Sequence, residues 1–190
     1  MKTKNISKTV LVLLLAVVFN NEITAQSAKA SKKITQDISY YRVSEVTPPL
    51  VEVVYGKPQK NRKKIFGKSV AYDKVWITGA DKITKVKFYQ DVLFGNVKVS
   101  AGTYALLTIP GKKEWKIILS DNLDINDVSQ YFPVFDVARI TIPSNKAKKI
   151  KKFSIGFKGK KDIVQMVLGW GSTRVEIPIT IKSKELYANL

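Results

Sequence analysis

Asp73 and Asp81, in the stretch Lys64–Val86 (KIFGKSVAYDKVWITGADKITKV), are the carboxylates best placed to form a general acid and base pair. Hydrolysis by such a pair needs the two carboxyl groups roughly 5–10 Å apart across a cleft. A place in a turn or at a strand end is the stronger reading of each. Lys68, Ser69 and Lys74 would make a Ser-Lys nucleophile only if they met, and adjacent strand residues point to opposite faces. Gly67-Lys68-Ser69 matches the end of a phosphate-cradling loop, but Arg62 stands where that motif needs its first glycine. Asp121 to Asp127 (DNLDIND) offers oxygen ligands without the central Gly and terminal Glu of a calcium loop, so capping of a short helix explains it better.

The chain contains no cysteine and no histidine. That excludes disulfides, thiolate or imidazole metal sites, cysteine nucleophiles and histidine-based triads. No catalytic residue, metal ligand or cofactor is assigned, and a protein without enzymatic activity is the favoured reading.

Charge points to partners. The formal net charge is +18, and Lys outnumbers Arg by 29 to 4. Two acid-free blocks hold much of the excess: Lys57–Lys68 (KPQKNRKKIFGK) and Lys146–Lys161 (KAKKIKKFSIGFKGKK). Bidentate reading of phosphates and base edges favours Arg, which argues against nucleic acid. An anionic surface is the partner these blocks suit, provided they share a face. Lysines that keep strand edges soluble are the competing explanation.

The elements that must position these residues are strands. From about Ile38 the apolar residues recur with period two, as in Val86/Phe88, Val97/Val99, Trp115/Ile117/Leu119 and Val175/Ile177/Ile179/Ile181. Tyr104–Ile109 and Ile163–Leu168 are apolar on both faces and read as central strands. Gly95-Asn96, Ala101-Gly102, Pro110–Lys113 and Gly169–Ser172 read as hairpin turns. Pro178 predicts an edge or a bulge. Asp124–Tyr131 is the one helix candidate. The class is all-β, a single antiparallel β-sandwich or flattened barrel.

The N-terminus reads differently. Lys2, Lys4 and Lys8 precede the uncharged run Thr9–Phe19, and a small residue, Ala25, closes the segment. This is the order of a secretory signal peptide. Eleven residues rise about 16 Å as a helix, roughly half of a ~30 Å hydrocarbon core. The organisation expected is a signal peptide (1–25), a flexible leader (26–36), the β domain (37–183) and a tail (184–190). Export to the periplasm or beyond follows, with no membrane span after cleavage and a net charge near +16 once three Lys and one Glu are removed (18 − 3 + 1).

Several motifs run in order through the chain: Tyr55-Gly56-Lys57-Pro58, Arg62, Ile65-Phe66-Gly67, Val70-Ala71-Tyr72, Val75-Trp76-Ile77-Thr78-Gly79-Ala80, Ala101-Gly102-Thr103-Tyr104, Thr108-Ile109-Pro110-Gly111 and Glu114-Trp115. They end with Trp170, Thr173, Val175, Ile177 and Pro178. In these the chain resembles the bacterial domain-of-unknown-function family 2911 over almost the whole of the expected mature chain. The resemblance implies a secreted or envelope-located β-rich domain. Ala71, Asp73, Ile77, Asp81 and Lys82 depart from the family's usual Pro, Gly, Arg, Asn and Glu, so a site lined by those residues would differ here.

Tyr72 and Trp76 stand in the least periodic segment and combine apolar area with a polar tip, as small-ligand pockets require. With Thr78, Gly79, Asp81, Arg62 and Tyr104 they form the candidate rim of a pocket for a small or extended envelope ligand. Binding of an anionic surface through the lysine blocks is the first alternative, and carboxylate hydrolysis by Asp73 and Asp81 the second.

Overall fold

In the computed structural model, which describes residues 36–59, 64–160 and 162–181, the period-two pattern becomes nine antiparallel strands. The expected signal peptide, most of the leader, Arg62 and the tail 184–190 lie outside the described residues. The strands are β1 (Gln36–Tyr41), β2 (Val51–Gly56), β3 (Thr84–Phe88), β4 (Val92–Phe94) and β5 (Val97–Val99), then β6 (Gly102–Pro110), β7 (Glu114–Ser120), β8 (Asp136–Lys160) and β9 (Ile163–Ile181). One sheet holds them in the order β1-β2-β3-β6-β7-β8-β9-β4-β5 and does not close. None of the described residues is α-helical. The expected helix is a 3-10 turn, Val128–Gln130, in which Asp127 accepts from Ser129 N at 2.9 Å. A second 3-10 turn spans Pro133–Phe135.

Layering comes from the long strand β8. Up to Pro143 it pairs with β7, and from Ser144 onward with β9. The sheet therefore folds over at Pro143–Ser144, and its two parts enclose the main core. Val53, Tyr55, Val86, Phe88, Leu106 and Ile117 meet Phe153, Ile155, Met166, Leu168, Ile177 and Phe94 there, all buried. Each such side chain contributes about 1.5–3 kcal/mol on full burial. Ala105, Leu107 and Ile118 belong to a second cluster on the other face of β6 and β7, covered by Ile83 and Ile125. Burial on both faces explains why apolar residues of Tyr104–Ile109 fall on both sides of the strand, with the one polar side chain, Thr108, buried and hydrogen-bonded to Thr78.

Two expected hairpins are present, at Gly95-Asn96 between β4 and β5 and at Pro110–Lys113 between β6 and β7. Two are corrected. Ala101-Gly102 joins β5 to β6, yet β5 pairs with β4 while β6 pairs with β3 and β7, so this turn carries the chain between parts of the sheet. Gly169–Ser172 is not a turn but the middle of β9. Opposite it, β8 holds extra residues: Lys146 pairs with Thr173 and Ile150 with Gly171, four steps against two. A β-bulge bends its strand, and Gly171, at φ 58, supplies the left-handed backbone that the bend requires. Local composition cannot distinguish that glycine from one in a hairpin. Pro178 lies where β8 has already left β9, beside β4 only, as an edge-tolerant residue should. No helix of the described residues is long and apolar enough to cross a membrane.

Candidate functional site

The site begins with three tight local structures. After β2 the chain turns through Ile65–Val70, closed by Gly67 N to Val70 O at 2.7 Å and Val70 N to Ile65 O at 2.9 Å. The Tyr72 ring lies against Gly67, where an added Cβ would come within 2.7 Å of it. The Lys112-Lys113 hairpin then meets β8 through Ser144 N to Lys113 O at 2.8 Å. Finally Arg174 ties the two bulged strands together. It donates to Thr173 O at 2.8 Å, Gly171 O at 3.2 Å and, across the gap, Lys148 O at 2.6 Å.

Between these structures lies a groove of ≈ 510 Å³. Lys64 comes from the turn after β2, Lys112 from the hairpin, Lys146 and Lys149 from the bulge of β8. Phe66, Tyr72 and Trp170 form its apolar floor, and Ser144, Asn145, Ser172 and Thr173 add polar groups. No carboxylate lines it. Among the described residues the ion pairs are Lys57–Asp37, Arg139–Asp136 and Lys158–Glu176, so none uses the four groove lysines. Four lysines that line one groove with no carboxylate among the lining residues give it a positive potential that attracts an anion.

The floor is stiff. The chain's three tryptophans meet beneath it, with Trp76 stacked on Trp170 at 6.1 Å and 20° and set edgewise to Trp115 at 6.2 Å. Phe66 and Phe153 complete the cluster, at 4.9 Å from Trp115 and 5.2 Å from Trp76. Such pairs are worth about 0.5–1.5 kcal/mol each beyond area burial. Trp76 Nε1 donates to Gly79 O at 3.0 Å, which fixes the ring against the following turn.

The candidate rim residues are brought together only in part. Tyr72 lines the groove. Trp76 packs behind the floor on Phe66 and Trp170 rather than facing the opening. Thr78 is fully buried and donates to Thr108 Oγ1 at 3.1 Å. Gly79 is buried against Gly56, with 3.1 Å between its would-be Cβ and Gly56 O. Asp81 sits exposed in a left-handed turn at φ 67. Tyr104 is four residues from Thr108, the partner of Trp76, or about 13 Å along β6. It packs instead on Phe88, with its hydroxyl on Ser100 O at 3.0 Å. Burial raises the pKa of that hydroxyl, helped by Asp91 and Asp121.

Asp73 also occupies a left-handed turn, at φ 57, with its N–H on Pro110 O at 2.9 Å. Neither Asp73 nor Asp81 lines the groove, so a role in their turns accounts for both. Within Asp121–Asp127, Asn122 Oδ1 accepts from Asp124 N at 3.1 Å and Asp127 Oδ1 from Ser129 N at 2.9 Å, and no metal-binding group of acidic residues occurs among the described residues. Gly67-Lys68-Ser69 is part of the tight turn, with no helix after it to complete a phosphate loop.

The two lysine blocks do share a surface. Gln59 bridges to Lys152, Phe153 N donates to Pro58 O at 3.0 Å, and Lys64 shares the groove with Lys146 and Lys149. Sequence reasoning missed Lys112 and the Gly171–Thr173 wall. Two glycines flanking a tryptophan opposite a lysine run were their only signal.

The profile of a family described as Protein of unknown function (DUF2911) matches residues 41–179. No curated protein and no solved structure matches the chain.

Proposed function

From the premise that the chain belongs to the DUF2911 family, we propose that it is an exported binding protein without catalytic activity, whose groove takes a linear anionic ligand of the cell envelope. The observation behind this reading is the convergence of Lys64, Lys112, Lys146 and Lys149 over an aromatic floor, with no carboxylate among the lining residues. Lysines from three separate segments suit several negative groups in a row better than one compact anion. Lys is a solvated point charge, so such a groove selects for charge density and shape rather than bidentate geometry. Phe66, Tyr72 and Trp170 present apolar area to the unit lying between charged groups. Catalysis by Asp73 and Asp81 has no support from their placement.

Heparin, used as a generic polyanion, tests the reading. Four lysines that each release about 0.7–0.9 of a counterion give a log–log salt slope near −3. Affinity should then fall roughly 50- to 150-fold between 50 and 200 mM salt. Reversing Lys112, Lys146 and Lys149 to Glu should abolish most binding. Reversing Lys85, Lys87 and Lys98, which lie outside the groove, changes net charge equally and should cost far less. Equal losses from both triple variants, or no retention at low salt, would refute the groove.

A further inference from the structure

Lysines account for the charge of the groove but not for the rest of its lining. Four uncharged polar residues border it, Ser144 and Asn145 on β8 and Ser172 and Thr173 on β9, and Tyr72 adds a phenol. The bulge beside them is held through the backbone. Arg174 donates to the carbonyls of Gly171, Thr173 and Lys148, and Ser144 donates to Lys113 O through its N–H. Asn145 and Ser172 are exposed, so an amide and a hydroxyl offer both donors and acceptors to whatever enters.

This lining discriminates among anions. A chain of phosphate groups alone presents acceptors, with no donor and no apolar surface, so it would engage the lysines and leave the remaining walls in water. Nucleic acid needs open rings on which its bases stack, and Phe66 and Trp170, 7% and 6% exposed, present too little area for that. A sugar unit bearing an acid group matches all three kinds of lining at once. Its charge meets the lysines, its hydroxyls meet Asn145, Ser172 and Thr173, and its C–H surface lies on the shallow aromatic floor.

Taking the groove as an anion site, as the preceding reading has it, we propose that its ligand is an acidic polysaccharide. The lysines select for charge, and the polar residues of the two bulged strands select for sugar hydroxyls.

The two parts of this recognition respond differently to salt. Lysine contacts weaken through counterion release as salt rises, whereas neutral hydrogen bonds and apolar contact do not depend on it. An acidic glycan therefore keeps affinity at high salt that a bare phosphate chain loses.

Calorimetric titration with oligogalacturonate, a carboxylated glycan, and with inorganic polyphosphate, compared at equal charge, tests the proposal. At about 150 mM salt the glycan should bind at least about tenfold more tightly. The charge-neutral variant Asn145→Ala/Ser172→Ala should lose about 5- to 150-fold in affinity for the glycan, from two neutral hydrogen bonds. Its polyphosphate binding and its melting should match wild type. Heparin, a sulfated glycan, should respond to the double variant as oligogalacturonate does, and whichever of the two binds tighter at equal charge names the acid group. Polyphosphate binding as tightly as the glycan, or a double variant that binds the glycan like wild type, overturns the polysaccharide and leaves the anion groove standing. Binding of neither probe, or binding of both that survives Lys112→Glu/Lys146→Glu/Lys149→Glu, overturns the groove and the polysaccharide together.

Discussion

Replacing Gly56 and Gly156 by alanine, one at a time, should shift stability in opposite directions, although both glycines lie in strands. At Gly56 the backbone of the Thr78–Ala80 turn crosses the end of β2. A Cβ there would stand 1.9 Å from Ala80 O, 2.8 Å from Ala80 C and 2.9 Å from Ala80 N. All three are backbone atoms, so no rotamer change can relieve the clash. The crossing is also held by Thr84 Oγ1 donating to Thr78 O at 2.8 Å and by the Trp76 indole on Gly79 O. Overpacking typically costs 1–3 kcal/mol, and a main-chain collision belongs at or above the top of that range. At Gly156 an added Cβ meets nothing within 4 Å and the backbone is not left-handed. Alanine there lowers the entropy of the unfolded chain and should gain about 0.4–1 kcal/mol. The unit Ile34–Leu190 is 157 residues long (190 − 34 + 1), a size at which 1 kcal/mol moves Tm by roughly 2–4 °C. Thermal and urea melts followed by circular dichroism should therefore place Gly56→Ala about 6–12 °C or more below wild type. Gly156→Ala should melt about 1–4 °C above wild type. Equal shifts in the two variants, or a Gly56→Ala protein that melts with wild type, would refute the backbone crossing as the reason for glycine.

Two further outcomes follow from the structure. Arg174→Gln removes a cation that holds three backbone carbonyls and should destabilise the protein by about 1.5–3 kcal/mol. It should also weaken heparin binding more than Lys98→Gln does; equal weakening would show that Arg174 acts through net charge alone. The hydroxyls of Tyr55 and Tyr131 are each pushed up to about 12 from the ordinary 10, chiefly by burial and also by Asp37 and Asp136. A raised folded value means that their stabilisation is whole below pH 10 and drains away as pH climbs through 12. Urea midpoints should thus be flat up to about pH 10 and fall beyond it, less steeply in a Tyr55→Phe/Tyr131→Phe protein. An unaltered fall in the double variant would count against these two groups.

Much was legible because side-chain alternation is local. The apolar residues of β3, β6, β7 and the end of β9, the Asp127 cap and the hairpins at Gly95 and Pro110 all follow from neighbours within a few positions. The family resemblance rests on the same footing: Gly56, Trp76, Gly79 and Trp170 are types that a crossing or a packed ring demands, and their order along the chain suffices to recognise them.

What alternation does not state is which strands pair, and that is where the expectations failed. Gly171 looks the same in sequence whether it closes a hairpin or answers a bulge. Only the pairing of β8 with β9 shows that four residues face two there, and that Lys146 and Lys149 are thrown outward as a result. Trp76, Trp115 and Trp170 are 39 and 55 residues apart in order (115 − 76 and 170 − 115), yet the folded sheet sets them side by side. Composition dictated that this chain would be strongly basic and free of thiol and imidazole chemistry, and the period-two order of its apolar residues that it would be built of strands. The fold at Pro143–Ser144 alone decided that lysines from three distant segments would share one groove, because charge attracts an anion according to distance in space, and the sequence specifies distance only along the chain.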